Sequence, residues 1–286
     1  MYDILIAIAI LGGLGLAFDL VLAAASKVFY VETDPRLEKL NECLPGANCG
    51  GCGYPGCGGY AEAVLNGEAP IGKCASGGNE CAQAMASIMG VEAGEMVRMV
   101  ALVRCSGFRT YDKDGNQTHG AKMKGNYEGF KDCLAASKVA GRGHIACKYG
   151  CLGFGSCTKA CKYGAIKVVD GIAKVDRNKC VGCMSCANVC PRGIITAVPY
   201  DKTTLIPCLS TAKGAVTTRS CSAGCIGCGL CKKICPENAI SVVNGLAVID
   251  YEKCISCGLC ATVCPKKIIV DLDEKPPVDA MVKAGH

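Results

Sequence analysis

The longest apolar stretch of the chain runs from Ile4 to Ala25 and is interrupted by one charged residue, Asp19. A stretch of this length can cross a bilayer as a helix. Lys27, Arg36 and Lys39 follow it, and an excess of basic residues marks the cytoplasmic flank of a span. A signal peptide is the alternative, because Ala23-Ala24-Ala25 resembles a cleavage site, but no basic residue precedes the apolar run.

Two further patterns predict local structure. Between residues 82 and 103, apolar side chains recur at helical spacing, which predicts a helix there. Later, Ala165–Val169 and Ala173–Val175 are β-rich and separated by Asp170-Gly171. Ala239–Val243 and Ala247–Ile249 repeat this arrangement around Asn244-Gly245. Such turn dipeptides between β-rich segments predict two hairpins. The lone His119 and His144 are predicted to be surface residues.

Cysteine spacing is the strongest chemical signal, with 26 cysteines among 286 residues. Runs that begin at Cys180, Cys225 and Cys254 share the pattern C-x2-C-x2-C-x3-C-P. Bacterial [4Fe–4S] ferredoxins have this spacing, and the fourth cysteine of each run binds the neighbouring cluster. Disulfide scaffolds of this density are usually short secreted domains. Zinc sites need only C-x2-C pairs and leave the third cysteine and the proline unexplained. Thiolates that hold clusters indicate a reducing compartment.

The last half of the chain is an internal duplication. Cys161, Cys180 and Cys190 recur as Cys235, Cys254 and Cys264, each 74 residues on. Each repeat is predicted to be one two-cluster module. The crossed-ligand rule gives four sets: Cys147, Cys151, Cys157 with Cys190; Cys180, Cys183, Cys186 with Cys161; Cys225, Cys228, Cys231 with Cys264; and Cys254, Cys257, Cys260 with Cys235. The first run departs from the pattern, because its spacing is wider and Lys162 stands where the other runs have proline.

A glycine-rich segment supplies a fifth set, in which Cys49, Cys52, Cys57 and Cys74 can bind one cubane and Cys43 and Cys81 are spare. Its glycines allow tight turns and bring backbone N–H groups close to sulfur. Five [4Fe–4S] clusters are therefore predicted. Four remaining cysteines could hold a sixth cluster or be buried apolar residues: Cys105, Cys133, Cys208 and Cys221.

The formal charge of +6 does not indicate a nucleic-acid partner. A cubane with four thiolates carries about −2, so five clusters make the loaded protein mildly acidic. The chain has no Trp and few aromatic residues for base stacking. It also has no dinucleotide-binding fingerprint at a strand–helix junction and no Walker A loop. No catalytic constellation is predicted.

The order of span, glycine-rich segment and ferredoxin repeats, with the sequence Asn48-Cys49-Gly50-Gly51-Cys52-Gly53-Tyr54-Pro55-Gly56-Cys57, resembles the B subunits of Rnf ion-translocating ferredoxin:NAD oxidoreductases, in their longer cluster-rich form. The resemblance implies a chain that takes electrons from soluble ferredoxin and passes them to other Rnf subunits, which reduce NAD⁺ and move Na⁺ or H⁺. The alternatives are a polyferredoxin subunit of another membrane redox complex and a cluster-based redox regulator.

The expected architecture is α+β, with an N-terminal transmembrane helix, a small Gly-rich [4Fe–4S] domain and two tandem bacterial-type 2[4Fe–4S] ferredoxin modules. The expected location is the inner (cytoplasmic) membrane, with a single span in the lipid bilayer and the bulk of the chain in the cytoplasm. The expected boundaries are 1–29 (anchor), 30–82 (Gly-rich domain), 83–140 (helical and loop linker), 141–207 (first module), 208–270 (second module) and 271–286 (flexible tail).

Overall fold

The computed structural model describes residues 2–28, 34–94 and 96–272, so most of the predicted C-terminal tail lies outside the described residues. The helices are α1 (Tyr2–Val28), α2 (Pro35–Cys43), α3 (Gly56–Leu65), α4 (Gly78–Met89), α5 (Cys133–Lys138), α6 (Ser156–Ala160), α7 (Ser185–Asn188), α8 (Gly214–Ser220), α9 (Leu230–Ile234) and α10 (Leu259–Thr262). The strands are β1 (Met99–Val103), β2 (Thr110–Tyr111), β3 (Gln117–His119), β4 (Ile166–Val169), β5 (Ile172–Val175), β6 (Ile195–Pro199), β7 (Thr204–Leu205), β8 (Ile240–Val243), β9 (Leu246–Ile249) and β10 (Val270–Asp271).

The chain forms two compact units, residues 1–39 and 40–286. The first unit contains α1, whose segment Ile10–Lys27 is long and apolar enough to cross a membrane. It is the one helical segment of this kind in the described part of the chain. The predicted apolar span is therefore helical.

Both predicted hairpins are confirmed. β4 pairs antiparallel with β5, and β8 pairs antiparallel with β9 in the equivalent register. The turn residues Asp170 and Gly171 have φ angles of 51° and 74°, and Asn244 and Gly245 have 51° and 76°. Two consecutive left-handed residues form the tight turn that matches the twist of paired strands. The duplication seen in the sequence is thus also a structural duplication.

The predicted helix between residues 82 and 103 is wrong in its second half. α4 ends at Met89, where Gly90 takes a left-handed conformation with a φ of 69° and caps the helix. The apolar residues that follow form β1, which pairs antiparallel with β6 from Met99–Pro199 to Val103–Ile195. Their burial comes from this pairing with a distant segment, which local periodicity does not reveal.

The prediction of a surface position is also wrong for His144, which is 9% exposed. Its ring lies 4.9 Å from the ring of Phe154 and 6.5 Å from that of Tyr127. Burial lowers its pKa, and the nearby Arg109 and Arg192 lower it further. His119 is half-buried against Phe108, with 4.6 Å between ring centroids.

Every sheet in the described residues has only two strands, so the interior is assembled around small elements. One buried cluster includes Ile166, Ile172 and Ile194 of the first repeat, and the other includes Ile240, Leu246 and Ile268 of the second. Leu209 and Tyr251 pack against both clusters. Cysteines contribute to both interiors, and their positions define the candidate sites.

Candidate iron–sulfur sites

Two pockets in the second repeat are each surrounded by four cysteines. The first, of about 380 Å³, is lined by Cys225, Cys228, Cys231 and Cys264, and we call it the Cys225 site. The second, of about 320 Å³, is lined by Cys235, Cys254, Cys257 and Cys260, and we call it the Cys254 site. The structure brings together the four members of each set that the crossed-ligand rule predicts.

The hairpin of the second repeat holds the Cys225 site in place. Gly227 has a φ of 69°, and a Cβ at this position would lie 2.5 Å from the carbonyl oxygen of Gly245. Only glycine therefore lets the cysteine loop rest on the turn between β8 and β9. Burial raises the pKa of Cys225, whereas hydrogen bonds from the backbone N–H groups of Ala247 and Gly227 lower it. These donors are suited to a thiolate ligand.

The run at Cys180 forms a third group. Burial raises the pKa of Cys186 to about 11, and the proximity of Cys180, Cys183 and Cys161 raises it further. Cys186 lies in α7, and Met184 before the helix adopts a left-handed φ of 58°. The four predicted ligands are therefore neighbours, and we call this group the Cys180 site.

The first run of the first repeat differs from the prediction. A pocket of about 350 Å³ is lined by Cys133, Cys151, Cys157 and Cys190, and the predicted ligand Cys147 is not among its lining residues. Burial raises the pKa of Cys157 to about 12, and the next contributions come from Cys151 and Cys133. We call this group the Cys151 site.

A hydrogen-bond network explains why Cys133 reaches this pocket. Asp132 caps α5 by accepting from the N–H groups of Leu134 and Ala135. The Ser156 hydroxyl donates to Asp132 at 2.7 Å and accepts from the N–H of Cys133 at 2.9 Å. Ser156 begins α6, which carries Cys157. The network thus fixes Cys133 beside Cys157 across 23 residues of sequence.

Cys147 lies in a different group. The pKa of Cys221 is raised to about 11 by burial, and Cys147 and Cys208 are its next sulfur neighbours. The pKa of Cys105 is raised to about 12 by burial, with Cys151 and Cys221 adding to the effect. We call Cys105, Cys147, Cys208 and Cys221 the linking site. It shares three cysteines with the predicted sixth set, but it contains Cys147 in place of Cys133.

The linking site touches a site in each repeat. The N–H of Cys151 donates to Cys105 Sγ at 3.4 Å. The N–H of Cys225 donates to Cys208 Sγ at 3.4 Å. Hydrogen bonds from ligand backbone groups to sulfur therefore connect the linking site to both the Cys151 site and the Cys225 site.

The glycine-rich segment forms a pocket of about 350 Å³ lined by Cys49, Cys52, Cys57 and Cys74, and we call it the glycine-rich site. Asn48 has a φ of 46°, and its side-chain oxygen accepts the N–H of Cys57 at 2.7 Å, at the start of α3. The spare Cys81 is buried, and its hydrogen bond lowers the pKa of Cys74 to about 6.

The glycine-rich site adjoins the Cys180 site, because Cys183 also lines its pocket. A Cβ on Gly51 would lie 2.5 Å from the carbonyl oxygen of Cys183. Lys162 Nζ donates to the carbonyl oxygens of Ala47 at 2.6 Å and Asn48 at 3.3 Å. The lysine that replaces proline in this run therefore ties the glycine-rich segment to the first repeat.

The donor chemistry fits iron–sulfur clusters. Sets of four cysteines line four pockets in the described part of the chain. Backbone N–H groups of Ala173, Ala239 and Ser256 donate to the sulfurs of Cys151, Cys235 and Cys254, each of which lines one of these pockets. This arrangement suits a polynuclear cluster held by thiolates.

Sequence analysis did not place Cys133 beside Cys151, Cys157 and Cys190, where the structure has it. The one available signal was the spacing of the first run, where x3 and x5 replace the two x2 intervals of the regular runs. A regular C-x2-C-x2-C loop has no equivalent there, so one ligand has to come from elsewhere.

Comparison with known proteins agrees with this chemistry. The family model FeS, for an Fe–S cluster, matches residues 44–76. A 4Fe-4S binding domain matches residues 173–196, and a 4Fe-4S dicluster domain matches residues 224–268. The chain therefore binds [4Fe–4S] clusters.

Full-length relatives cover most of the chain. The B subunit of the Na⁺-translocating ferredoxin:NAD⁺ oxidoreductase complex of Acetobacterium woodii is 45% identical over 87% of this chain and 72% of its own length. The B subunit of an ion-translocating oxidoreductase complex of Methanosarcina acetivorans is 40% identical over 86% and 90%. The B subunit of the proton-translocating ferredoxin:NAD⁺ oxidoreductase complex of Clostridium ljungdahlii is 39% identical over 87% and 85%. Identity at this level over this much of both chains shows the family, and the protein belongs to the B subunits of the Rnf ion-translocating oxidoreductase complexes.

Proposed function

We propose that this chain carries electrons from soluble reduced ferredoxin to the other subunits of its complex, which reduce NAD⁺ and translocate Na⁺ or H⁺. A bound [4Fe–4S] cluster supplies a one-electron store at each site. The observation that carries the proposal is the continuity of the sites from the second repeat to the glycine-rich segment. The test is ferredoxin-dependent NAD⁺ reduction by the purified complex, which should be lost when this subunit is omitted.

Six clusters and two tandem two-cluster modules with a linking site between them form part of the proposal. The proposed ligands of the first module are the Cys151 and Cys180 sets, and those of the second are the Cys225 and Cys254 sets. The pockets and the sulfur contacts support this grouping.

Ferredoxin is proposed to dock at the Cys225 site. Cys228 is the one exposed cysteine among those in the described ranges. Leu230 beside it is 43% exposed, and Lys232 and Lys233 are exposed and have no ion pair among the described residues. An apolar patch with basic neighbours, next to an accessible ligand, suits an acidic redox partner. Lys253 is less suited to attract the partner because it already pairs with Asp250 at 3.4 Å. Lys266 and Lys267 follow Cys264 in sequence and are separate from the Lys232–Lys233 pair.

The proposed electron route follows the contacts between sites. It runs from the second module through the linking site to the Cys151 site. The next step leads to the Cys180 site, because α6, which carries Cys157, contacts α7, which carries Cys186. The route ends at the glycine-rich site. Twenty residues separate the end of α1 at Val28 from Cys49. This short connection makes the glycine-rich site the natural exit to membrane subunits.

The cysteine grouping predicts iron contents that distinguish the two ligand assignments. Wild-type protein should contain about 24 Fe, from four per cubane. Replacing Cys105 and Cys147 together with Ser should remove one cluster, about 4 Fe, because both belong to the linking site. Replacing Cys105 and Cys133 should remove two, about 8 Fe.

Iron and acid-labile sulfide analysis of anaerobically purified protein measures this difference. If the Cys105/Cys147 variant lost about 8 Fe and the Cys105/Cys133 variant lost about 4 Fe, Cys147 would belong to the Cys151 site in place of Cys133. A wild-type content near 20 Fe would mean that the linking site holds no cluster.

The docking proposal predicts a salt-dependent rate. Charge reversal at Lys232 and Lys233 should slow ferredoxin oxidation several-fold at low ionic strength, and the difference should shrink as salt screens the attraction. Stopped-flow measurement of ferredoxin oxidation checks this. The exposed Lys113, in the turn between β2 and β3, provides the matched control Lys113→Glu. Equal rates for wild type and the double variant at low salt would rule out this docking surface.

The route predicts that the contact between Gly51 and Cys183 matters for onward transfer. Gly51→Ala should push the glycine-rich segment from the Cys180 site and slow NAD⁺ reduction, while iron content and reduction by ferredoxin persist. Gly58→Ala is the control, because its Cβ would meet only Asn41 Oδ1 at 3.9 Å.

Cys52→Ala should block NAD⁺ reduction and leave the distal sites reducible. If Cys52→Ala complexes keep the normal rate, the glycine-rich site is a side branch.

The membrane anchor predicts one orientation. A reporter fused after His286 should be active only as a cytoplasmic marker, because basic residues follow the span and none precedes it. Activity of a periplasmic reporter at the same position, or a mature protein beginning at Ser26, would contradict the anchor.

A further inference from the structure

Arg192 is a half-buried cation without an acidic partner among the described residues. It follows Cys190 and Pro191, and its Nε and Nη1 atoms are buried with no hydrogen-bond partner among the described residues. Its Nη2 donates to the carbonyl oxygen of Arg142. None of the ion pairs in the described part of the chain includes Arg192. A guanidinium buried in this way is costly unless a negative charge lies nearby.

Arg192 has no anionic protein partner among the described residues, but it lines a pocket whose bound cluster would be anionic. Arg192 lines the pocket of the Cys151 site together with all four cysteines of that set. The charged or titratable groups that act on Arg192 are the Arg142 guanidinium, then the sulfur of Cys147 in the linking site and those of Cys190 and Cys151. Each of these sites carries about −2 when a cluster is held by four thiolates. Arg192 therefore faces two sites that are anionic once loaded.

The duplication places a second cation at the equivalent position. Lys266 follows Cys264 and Pro265, and it lines the pocket of the Cys225 site as Arg192 lines the pocket of the Cys151 site. The other run endings have Tyr163 and Glu237 two residues after the cysteine. Cations at this position thus occur only in the run endings that flank the linking site.

Reduction adds one negative charge to a cluster, so a nearby fixed cation stabilises the reduced form more than the oxidised form. Burial of a cluster favours the oxidised form instead, because a low dielectric disfavours the charge that reduction adds. A buried site without a counter-charge would hold electrons poorly and interrupt transfer between the two modules.

We propose that Arg192 is the shared counter-charge of the Cys151 site and the linking site, and that it raises their reduction potentials so that electrons can cross between the two modules. Arg192 is a positioning residue in this role, because it acts on the bound clusters through charge and is not a ligand. The inference rests on the proposed electron-transfer function and on the grouping of the cysteines.

The test is an EPR-monitored redox titration of the full-length protein in detergent, with iron analysis of each sample. In Arg192→Gln, iron content should stay at the wild-type value. At a fixed potential, the ratio of reduced to oxidised cluster should fall at least tenfold for up to two clusters, which corresponds to 59 mV for a one-electron couple. The other clusters should titrate as in wild type.

Two variants separate charge from packing. Arg192→Lys keeps the charge and should restore most of the shift. Lys138→Gln removes an exposed cation at the end of α5, the helix that carries Cys133, and should leave the titration unchanged because solvent screens that charge. An unchanged titration in fully loaded Arg192→Gln would overturn the proposal, as would an equal shift in Arg192→Lys.

If Arg192→Gln loses iron, Arg192→Lys decides the question. Recovery of the iron by lysine would support a counter-charge needed for cluster assembly, and failure to recover it would overturn the proposal. Failure of the proposed electron-transfer function would be a distinct result, because ferredoxin would then not reduce even the wild-type protein.

Discussion

The structure depends on bringing cysteine sulfurs together in sets of four inside the protein. Burial, together with the proximity of other cysteines, raises the pKa of Cys105, Cys157 and Cys260 to about 12, so without clusters these thiols stay protonated. Cluster binding replaces those protons with iron and joins loops that have few other contacts. The sheets in the described residues have only two strands each, and the helices that carry ligands in the two repeats are about one turn long. We therefore expect cluster assembly and folding to be one process in residues 40–286.

The features that follow from local sequence were predictable. Asp170-Gly171 and Asn244-Gly245 determine their hairpins because few other dipeptides adopt two left-handed conformations in succession. The regular cysteine runs fold as compact loops for the same reason, since each closes over only a few residues. The sequence also grouped Cys105, Cys208 and Cys221, which the structure places near one another, but it put Cys133 where the structure has Cys147.

The features that depend on distant contacts were not predictable. β1 is a strand because β6 lies opposite it, nearly a hundred residues later, and local periodicity in that region instead suggested a helix. Cys133 enters the Cys151 site because Asp132 and Ser156 join two helices, and neither residue belongs to a recognisable motif. Lys162 stands where the other cysteine runs have proline, and its role depends on hydrogen bonds to Ala47 and Asn48, which lie 115 and 114 residues earlier in the chain.

The charge of the loaded sites has to be compensated inside the second compact unit. Six loaded sites would bring about −12 of charge into a chain whose formal charge is +6, so the anions must be distributed and compensated. Backbone N–H groups compensate at individual sulfurs, as at Cys105 and Cys208. Half-buried arginines act over a longer range, since Arg104 has Cys208 as a neighbour and Arg192 has Cys147. Both sulfurs belong to the linking site, where anions from the two repeats come closest. The positive formal charge of the chain is thus explained by its own cofactors, and a nucleic acid or another external anion is not needed to account for it.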